Sequence, residues 1–111
     1  MKTIFKQIID QELPAEKVFE NERILAFKDI NPCAPVHILI IPKKQISSIQ
    51  EVEEGDISLV GEIVQVAQEL AQEFNIQEGY RLLTNHGSLA GQTVEHLHFH
   101  LIGGRKLGAL A

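Results

Sequence analysis

The chain is short of the residues that staple small proteins together. Tryptophan is absent, Tyr80 is the one tyrosine and Cys33 the one cysteine. A lone cysteine excludes an intramolecular disulfide and suits a reducing compartment. Basic residues are outnumbered: 10 Lys and Arg against 15 Asp and Glu leave a formal charge of −5 at pH 7. That sign excludes a general nucleic-acid binder, whose affinity rests on neutralising phosphates with Lys and Arg. A small anionic ligand stays open, because backbone N–H groups hold phosphate without a positive surface. Long apolar runs are also missing. Met1 to Asp10 alternates charged and apolar residues, unlike a signal peptide, and nothing approaches the ~20 apolar residues of a membrane span. A cytoplasmic protein that avoids membranes is expected. No repeat, low-complexity tract or Gly/Ser/Pro-rich linker divides the 111 residues, so one domain over residues 1–111 is expected. A chain of this length hides roughly 65% of the surface its unfolded form exposes, enough for a core without staples.

What is present has clear periodicity. Ile4, Phe5, Ile8 and Ile9 have helical spacing, with Thr3 placed to cap and Pro14 to end the helix. Val18-Phe19 and Ile24 to Asp29 read as strands joined by the turn Glu20-Asn21-Glu22-Arg23. Two prolines make Asn31 to Pro35 a loop. Val36 to Ile41, apolar except for His37, reads as a central strand covered on both faces and stopped by Pro42. Asp56 to Phe74 is a helix whose Val60, Ile63, Val64, Ala67, Leu70, Ala71 and Phe74 form a core stripe. Leu59 and Val66 fall on a flanking face, which reads either as a wider core face or as a subunit interface. Gly61 costs about 1 kcal/mol relative to Ala in a helix, a sign of close packing. Tyr80 to Thr84 is a strand, and Asn85 to Thr93 a loop with glycines at 87 and 91. Short connections and only two helices favour an antiparallel α+β sheet over a βαβ array.

The densest signal is His96-Leu97-His98-Phe99-His100-Leu101, which holds three of the five histidines. In a strand, side chains on one face repeat every ~6.6 Å, so the three imidazoles share a surface while Leu97, Phe99 and Leu101 face a core. As ordinary sheet residues they make poor sense, because clustered imidazoles repel when protonated and need partners when buried. A catalytic zinc set of three histidines is a second reading. The outer two lie ~13 Å apart on a strand, so all three cannot reach one ion, although two of them plus His37 could. The third reading is nucleophilic attack on phosphorus. Neutral imidazole, with an ordinary pKa of about 6.5, attacks an α-phosphate and forms a labile phosphoramidate that water then opens. The neighbouring loop supports it: Gly87 and Gly91 permit close backbone approach, and Asn85 and Thr93 offer donors.

These residues carry a resemblance. Gln92 through Ile102, with the histidines at 96, 98 and 100, resembles the signature of the histidine triad superfamily. Gly103-Gly104-Arg105 resembles its Hint branch of nucleotide-binding proteins rather than the dinucleoside polyphosphate hydrolases. Ile4-Phe5, Leu13-Pro14-Ala15, Ala26 to Ile30, Ala34 to His37, Ile41 to Lys44 and Gly79 to Arg81 match landmarks of that branch in order. The likeness runs from residue 3 to about 105.

The resemblance implies an α+β HIT-like fold: a five-stranded antiparallel sheet with two helices, two protomers joining into a ten-stranded sheet. It implies hydrolysis of purine nucleoside phosphoramidates, releasing AMP through a nucleotidyl-histidine. By resemblance, His98 is the nucleophile, His100 contacts the phosphate, His96 holds the nucleophile's geometry, and His37 lies near it. Asn85, Gly91, Gln92 and Thr93 match the phosphate loop. Asp29 matches the carboxylate that binds the ribose hydroxyls, with Ile30 beside it. Ile4, Phe5, Ile8, Leu13 and Phe27 match the walls around the base. No metal or cofactor is implied; the expected partners are a purine nucleotide and a second copy of the chain. By residue patterning alone, Ile4, Phe5, Ile8 and Phe27 read as core and Asp29 as a turn former, and His86 is expected in solvent. Two rivals stay open, a nucleotide-binding adaptor with incidental catalysis and a zinc-dependent site using His37 with triad histidines; a dinucleoside polyphosphate hydrolase is a nearer alternative within the enzyme class. The tail from Lys106 to Ala111 lacks the Trp and Pro that end many animal members of the branch, and Ala90 stands where some have Gly.

Overall fold

The computed structural model describes residues Met1–Ala111. Two helices and five strands follow in the order α1 (Ile4–Ile9), β1 (Lys17–Glu20), β2 (Ile24–Lys28), β3 (Val36–Pro42), α2 (Ile57–Glu73), β4 (Tyr80–Leu83) and β5 (Phe99–Gly103). The strands form one sheet in the order β1-β2-β3-β5-β4, antiparallel at every pairing. The expected five-stranded α+β architecture is therefore present. No helix is long and apolar enough to cross a membrane.

Strand alternation sorts the apolar residues onto two faces. In β3, Ile38 and Ile40 join Leu97, Phe99 and Leu101 beneath Ile63, Ala67 and Leu70 of α2. Leu39 and Ile41 face the other way and pack with Leu25, Phe27 and α1's Phe5 and Ile8. Ile40, Ile63 and Leu101 are wholly buried, each contributing about 1.5–3 kcal/mol of apolar transfer. α2 is long enough to cover its face. The six-residue α1 is not, and the part of the second face that it leaves open is where His98 and His100 lie.

Four expectations are corrected. Thr3 caps α1 as expected, its hydroxyl accepting from the Lys6 N–H at 3.1 Å, but Pro14 does not end the helix. α1 stops at Ile9, and Gln11 at φ 62° turns the chain in the left-handed region first. The buried stripe of α2 is rotated: Leu59, Ile63, Val66, Ala67, Leu70 and Ala71 are buried, while Val64 is 38% exposed and Val60 only partly covered. Leu59 and Val66 thus belong to the core face. Gly61 marks no close packing, since a Cβ there would meet nothing within 4 Å.

The fourth correction concerns the histidines. β5 begins at Phe99, so only His100 of the three sits in the ladder. The register runs from Val36 opposite Gly103 to Ile40 opposite Phe99 and ends there. Residues 96–98 are held by loops instead: the Leu97 N–H donates to the Ile46 carbonyl at 2.6 Å. Alternation persists even so, with Leu97 in the α2-side core and His96 and His98 both stacked edge-on against Phe5.

Candidate active site

A cavity of about 280 Å³ opens on the α1 side of the sheet. Ile4, Phe5, Ile8, Phe27, Asp29, Ile30, Thr93, His98 and His100 line it, together with Pro14, Ala15, Lys28, Asn31, Leu39 and Val94. One wall is apolar and the other carries imidazoles, a carboxylate and a hydroxyl. A larger hollow of about 620 Å³ elsewhere is lined by Lys44, Glu51, Glu53, Asp56 and Glu95 among others. It holds no imidazole, and its carboxylates would repel a phosphate.

The contacts of each imidazole assign its protons. His98 Nδ1 lies 2.7 Å from the His96 carbonyl, so Nδ1 carries the hydrogen and Nε2 keeps its lone pair. Thr84 Oγ1 donates to the carbonyl of His98 itself at 2.7 Å, fixing the backbone from the other side. Phe5 stands edge-on to the ring at 4.9 Å between centroids. Burial lowers the pKa of His98, against the opposing pull of the His96 carbonyl and the Asp29 charge. The ring is thus held neutral with one bare nitrogen.

His37 and His100 form a second unit. The Cys33 N–H can only donate, and it meets His37 Nδ1 at 3.1 Å. The hydrogen of His37 therefore sits on Nε2 and is donated to His100 Nδ1 at 2.9 Å. His100 in turn carries its hydrogen on Nε2. Its pKa is pushed down to about 4 by burial first, then by His98 and His37. A neutral N–H donor results, its ring centroid 5.2 Å from that of His98. Asp29 Oδ2 approaches His37 Nε2 at 3.5 Å, and Asp29 Oδ1 accepts from the Asn31 N–H at 2.8 Å in an Asx turn.

His96 has a different surrounding. It is wholly buried, donates from Nε2 to the Pro42 carbonyl at 2.8 Å, and leaves Nδ1 without a partner. Burial lowers its pKa as well. It does not line the cavity; it touches His98 through its own carbonyl.

The loop before β5 is less open to a ligand than the sequence suggests. Gly87 and Gly91 take φ of 83° and 94°, where a side chain is strained. The Gln92 side chain is fully engaged: Oε1 accepts from the Gly87 N–H, and Nε2 donates to the Ser47 and Val94 carbonyls. Its backbone N–H goes to the Gly87 carbonyl at 3.1 Å. In this arrangement Gln92 braces the loop and has no donor left for phosphate. Asn85 and Gly91 stand in the same loop outside the cavity wall, and His37 of β3 is also outside it, behind His100. His86 is exposed as expected, yet its Nδ1 lies 2.8 Å from the buried Ser48 hydroxyl. Leu13 lines a neighbouring groove, and Pro14 and Ala15 occupy the wall in its place. Leu39 was findable, being two residues from His37 on one strand face. Thr84 was not, because nothing in sequence shows which carbonyl its hydroxyl meets.

The zinc reading meets an obstacle of polarity. Donor atoms of Asp29, His37 and His100 lie within 4.8 Å of one another. A metal-bound imidazole normally offers its other nitrogen as an N–H to an acceptor. His37 Nδ1 faces a donor instead. A cation on Nε2 would set two N–H groups against each other, so these residues do not fit zinc.

A five-stranded antiparallel sheet with a histidine-lined cavity under a short helix defines the histidine triad class of α+β proteins. The HIT domain model matches residues 10–107, and the chain belongs to that family. A HIT-like protein of Chlamydia pneumoniae is 54% identical over 109 residues, covering 98% of this chain and 99% of that one. The crystal structure of a HIT family hydrolase from Legionella pneumophila superposes with a TM-score of 0.94 at 47% identity, covering 96% of each chain. A histidine triad nucleotide-binding protein from Candida albicans gives 0.84 at 32% identity, over 99% of this chain and 84% of that one.

Proposed function

We propose that this protein is a metal-independent, cytoplasmic hydrolase of purine nucleoside phosphoramidates that works as a homodimer and releases AMP. The observation that carries the reading is the bare Nε2 of His98, held neutral by burial and fixed by the His96 carbonyl at Nδ1, on the cavity wall beside the N–H of His100. The names of the Legionella hydrolase and the Candida nucleotide-binding protein agree with it.

The apolar wall of Ile4, Phe5, Ile8 and Phe27 takes the base, and Asp29 with Ile30 takes the ribose. His98 Nε2 attacks the α-phosphorus; an Nε2–P bond forms and the bond from phosphorus to the amine breaks, the amine leaving with a proton taken from solvent that the water of the second step gives back. His100 Nε2–H donates to the phosphoryl oxygen on which charge accumulates. Thr93 adds a hydroxyl donor, and the loop of Asn85 and Gly91, braced by Gln92, shapes the phosphate end. Water then attacks phosphorus, and cleavage of the Nε2–P bond restores His98 and frees the nucleotide.

The test is steady-state hydrolysis of a fluorogenic adenosine phosphoramidate with excess chelator, comparing wild type with His98→Ala. Turnover that survives chelation and falls at least about 10³-fold in the variant is expected, as for loss of a covalent nucleophile. Tight AMP binding without turnover in either protein would instead make this a nucleotide-binding module.

A further inference from the structure

The motif Gly103-Gly104-Arg105 takes no part in the cavity, yet it is tied to the histidine pair through one loop. Arg105 Nη2 donates to the Cys33 carbonyl at 2.8 Å, while Nη1 donates to the Lys106 carbonyl at 2.9 Å. Gly104 takes φ 98°, and a Cβ there would stand 2.9 Å from Pro35 Cβ and 3.4 Å from the Val36 nitrogen. Gly103 pairs with Val36 in the sheet, and a Cβ on it would stand 3.0 Å from Ile76 Cδ1. Gly104 and Arg105 thus grip the Pro32–Pro35 loop from the end of β5, while Gly103 seats that end against Val36 and Ile76. Cys33 is held at both backbone groups: its carbonyl by Arg105, its N–H by His37 Nδ1.

We infer that Gly103-Gly104-Arg105 is a positioning clamp, which holds the Cys33 N–H against His37 and thereby sets which nitrogen of His100 faces the substrate as a donor. Two orders of hydrogens are possible along the pair. With the Cys33 N–H in place, His37 must accept at Nδ1 and donate from Nε2, and His100 presents Nε2–H. If the loop draws back, the hydrogen of His37 is free to move to Nδ1. His100 then donates from Nδ1 to His37, and its Nε2 becomes a lone pair aimed at phosphoryl oxygens. A donor becomes an acceptor where negative charge develops. Arg105 touches no substrate; it acts through Cys33, His37 and His100. The inference rests on the proposed function only for its effect on rate.

The test combines ring-nitrogen NMR of imidazole-labelled protein with kinetics, for wild type, Arg105→Ala and Arg105→Lys. In wild type, His37 Nδ1 and His100 Nδ1 should resonate as bare nitrogens and both Nε2 as N–H. In Arg105→Ala both rings should show mixed tautomers. kcat on the phosphoramidate should drop on the order of tenfold, a partial loss of one oxyanion donor, with KM little changed. Arg105→Lys, which keeps a donor for the Cys33 carbonyl, should recover most of both. A wild type with the hydrogen of His37 on Nδ1, or an Arg105→Ala protein with unshifted tautomers, overturns the clamp whatever its rate. Absence of turnover in wild type would instead strike at the proposed reaction, and the tautomer spectra would still decide this inference.

Discussion

At His98, nucleophilicity depends on a proton that cannot be lent elsewhere. Nδ1–H is committed to the His96 carbonyl, so the ring attacks through Nε2 only while Nε2 is unprotonated. Burial favours the neutral ring and lowers its pKa below the ordinary 6.5; His100 is lowered further, to about 4. Protonation abolishes attack at His98, so a lowered pKa extends the active form to more acidic solution. The acid limb of kcat/KM, which reports the free enzyme, is therefore expected below pH 6.5. Rates measured from pH 4 to 8 on a phosphoramidate whose own titration lies outside that range check this. A limb at or above 6.5 would mean that water reaches His98 more freely than its burial implies. The alternation that puts three imidazoles opposite Leu97, Phe99 and Leu101 is legible in the sequence. The proton positions are not, since they depend on Cys33, Pro42 and the bend at His96, which only the folded chain brings within hydrogen-bond reach.

The two helices show where periodicity suffices and where it does not. α2 was legible in length and ends, because a seventeen-residue amphipathic run with no proline has few alternatives. Its rotation was not. Val60 and Val64 on one side and Leu59 and Val66 on the other both fit around the Ile63–Ala67–Leu70 centre, and the shape of the sheet selects the second. The same ambiguity misled the reading of Gly61, which lies on the outer surface with open space around it. Without a packing role, it leaves only the entropic cost of glycine in a helix. Gly61→Ala is expected to stabilise the fold by about 1 kcal/mol, seen as a higher urea midpoint at unchanged slope, with kcat and KM as in wild type. A destabilised variant would show that this surface is covered in solution.

That last outcome bears on the whole molecule, whose two sheet edges are unequal. β1 carries charge at both ends, with Lys17 paired to Glu20 and Glu20 to Lys43, and its register slips between Lys17 and Phe19. Charge and a bulge are the usual protections of an edge against further pairing. β4, Tyr80-Arg81-Leu82-Leu83, pairs regularly with β5 and has no strand on its outer side; Tyr80 is exposed, the other three are half-buried, and Arg81 donates to the Gly108 carbonyl. On α2, Ile57 and Val64 stand 58% and 38% exposed, seven residues apart on one face, with the partly covered Val60 between them. Scattered apolar residues on a surface mean little, but an aligned row together with an edge strand whose one charge is Arg81 would suit the interface of the proposed dimer. A second copy paired along β4 would extend five strands to ten and leave β1 at both outer edges. Such interfaces bury about 800 Å² on each partner around an apolar centre. A carboxylate in that centre would be desolvated without a partner. Val64→Glu is therefore expected to lower the mass in sedimentation equilibrium from twice the chain mass to once, while His98 and its cavity on the opposite face of the sheet keep their structure. Phosphoramidate turnover in the dissociated variant then separates two cases. Retained kcat means that each protomer holds a complete site; a fall that high protein concentration reverses means that pairing orders β4, and through Thr84 at its end the carbonyl of His98. A wild-type chain that sediments as a monomer at micromolar concentration would remove the dimer from the proposal and leave the exposed row of α2 without an occupant.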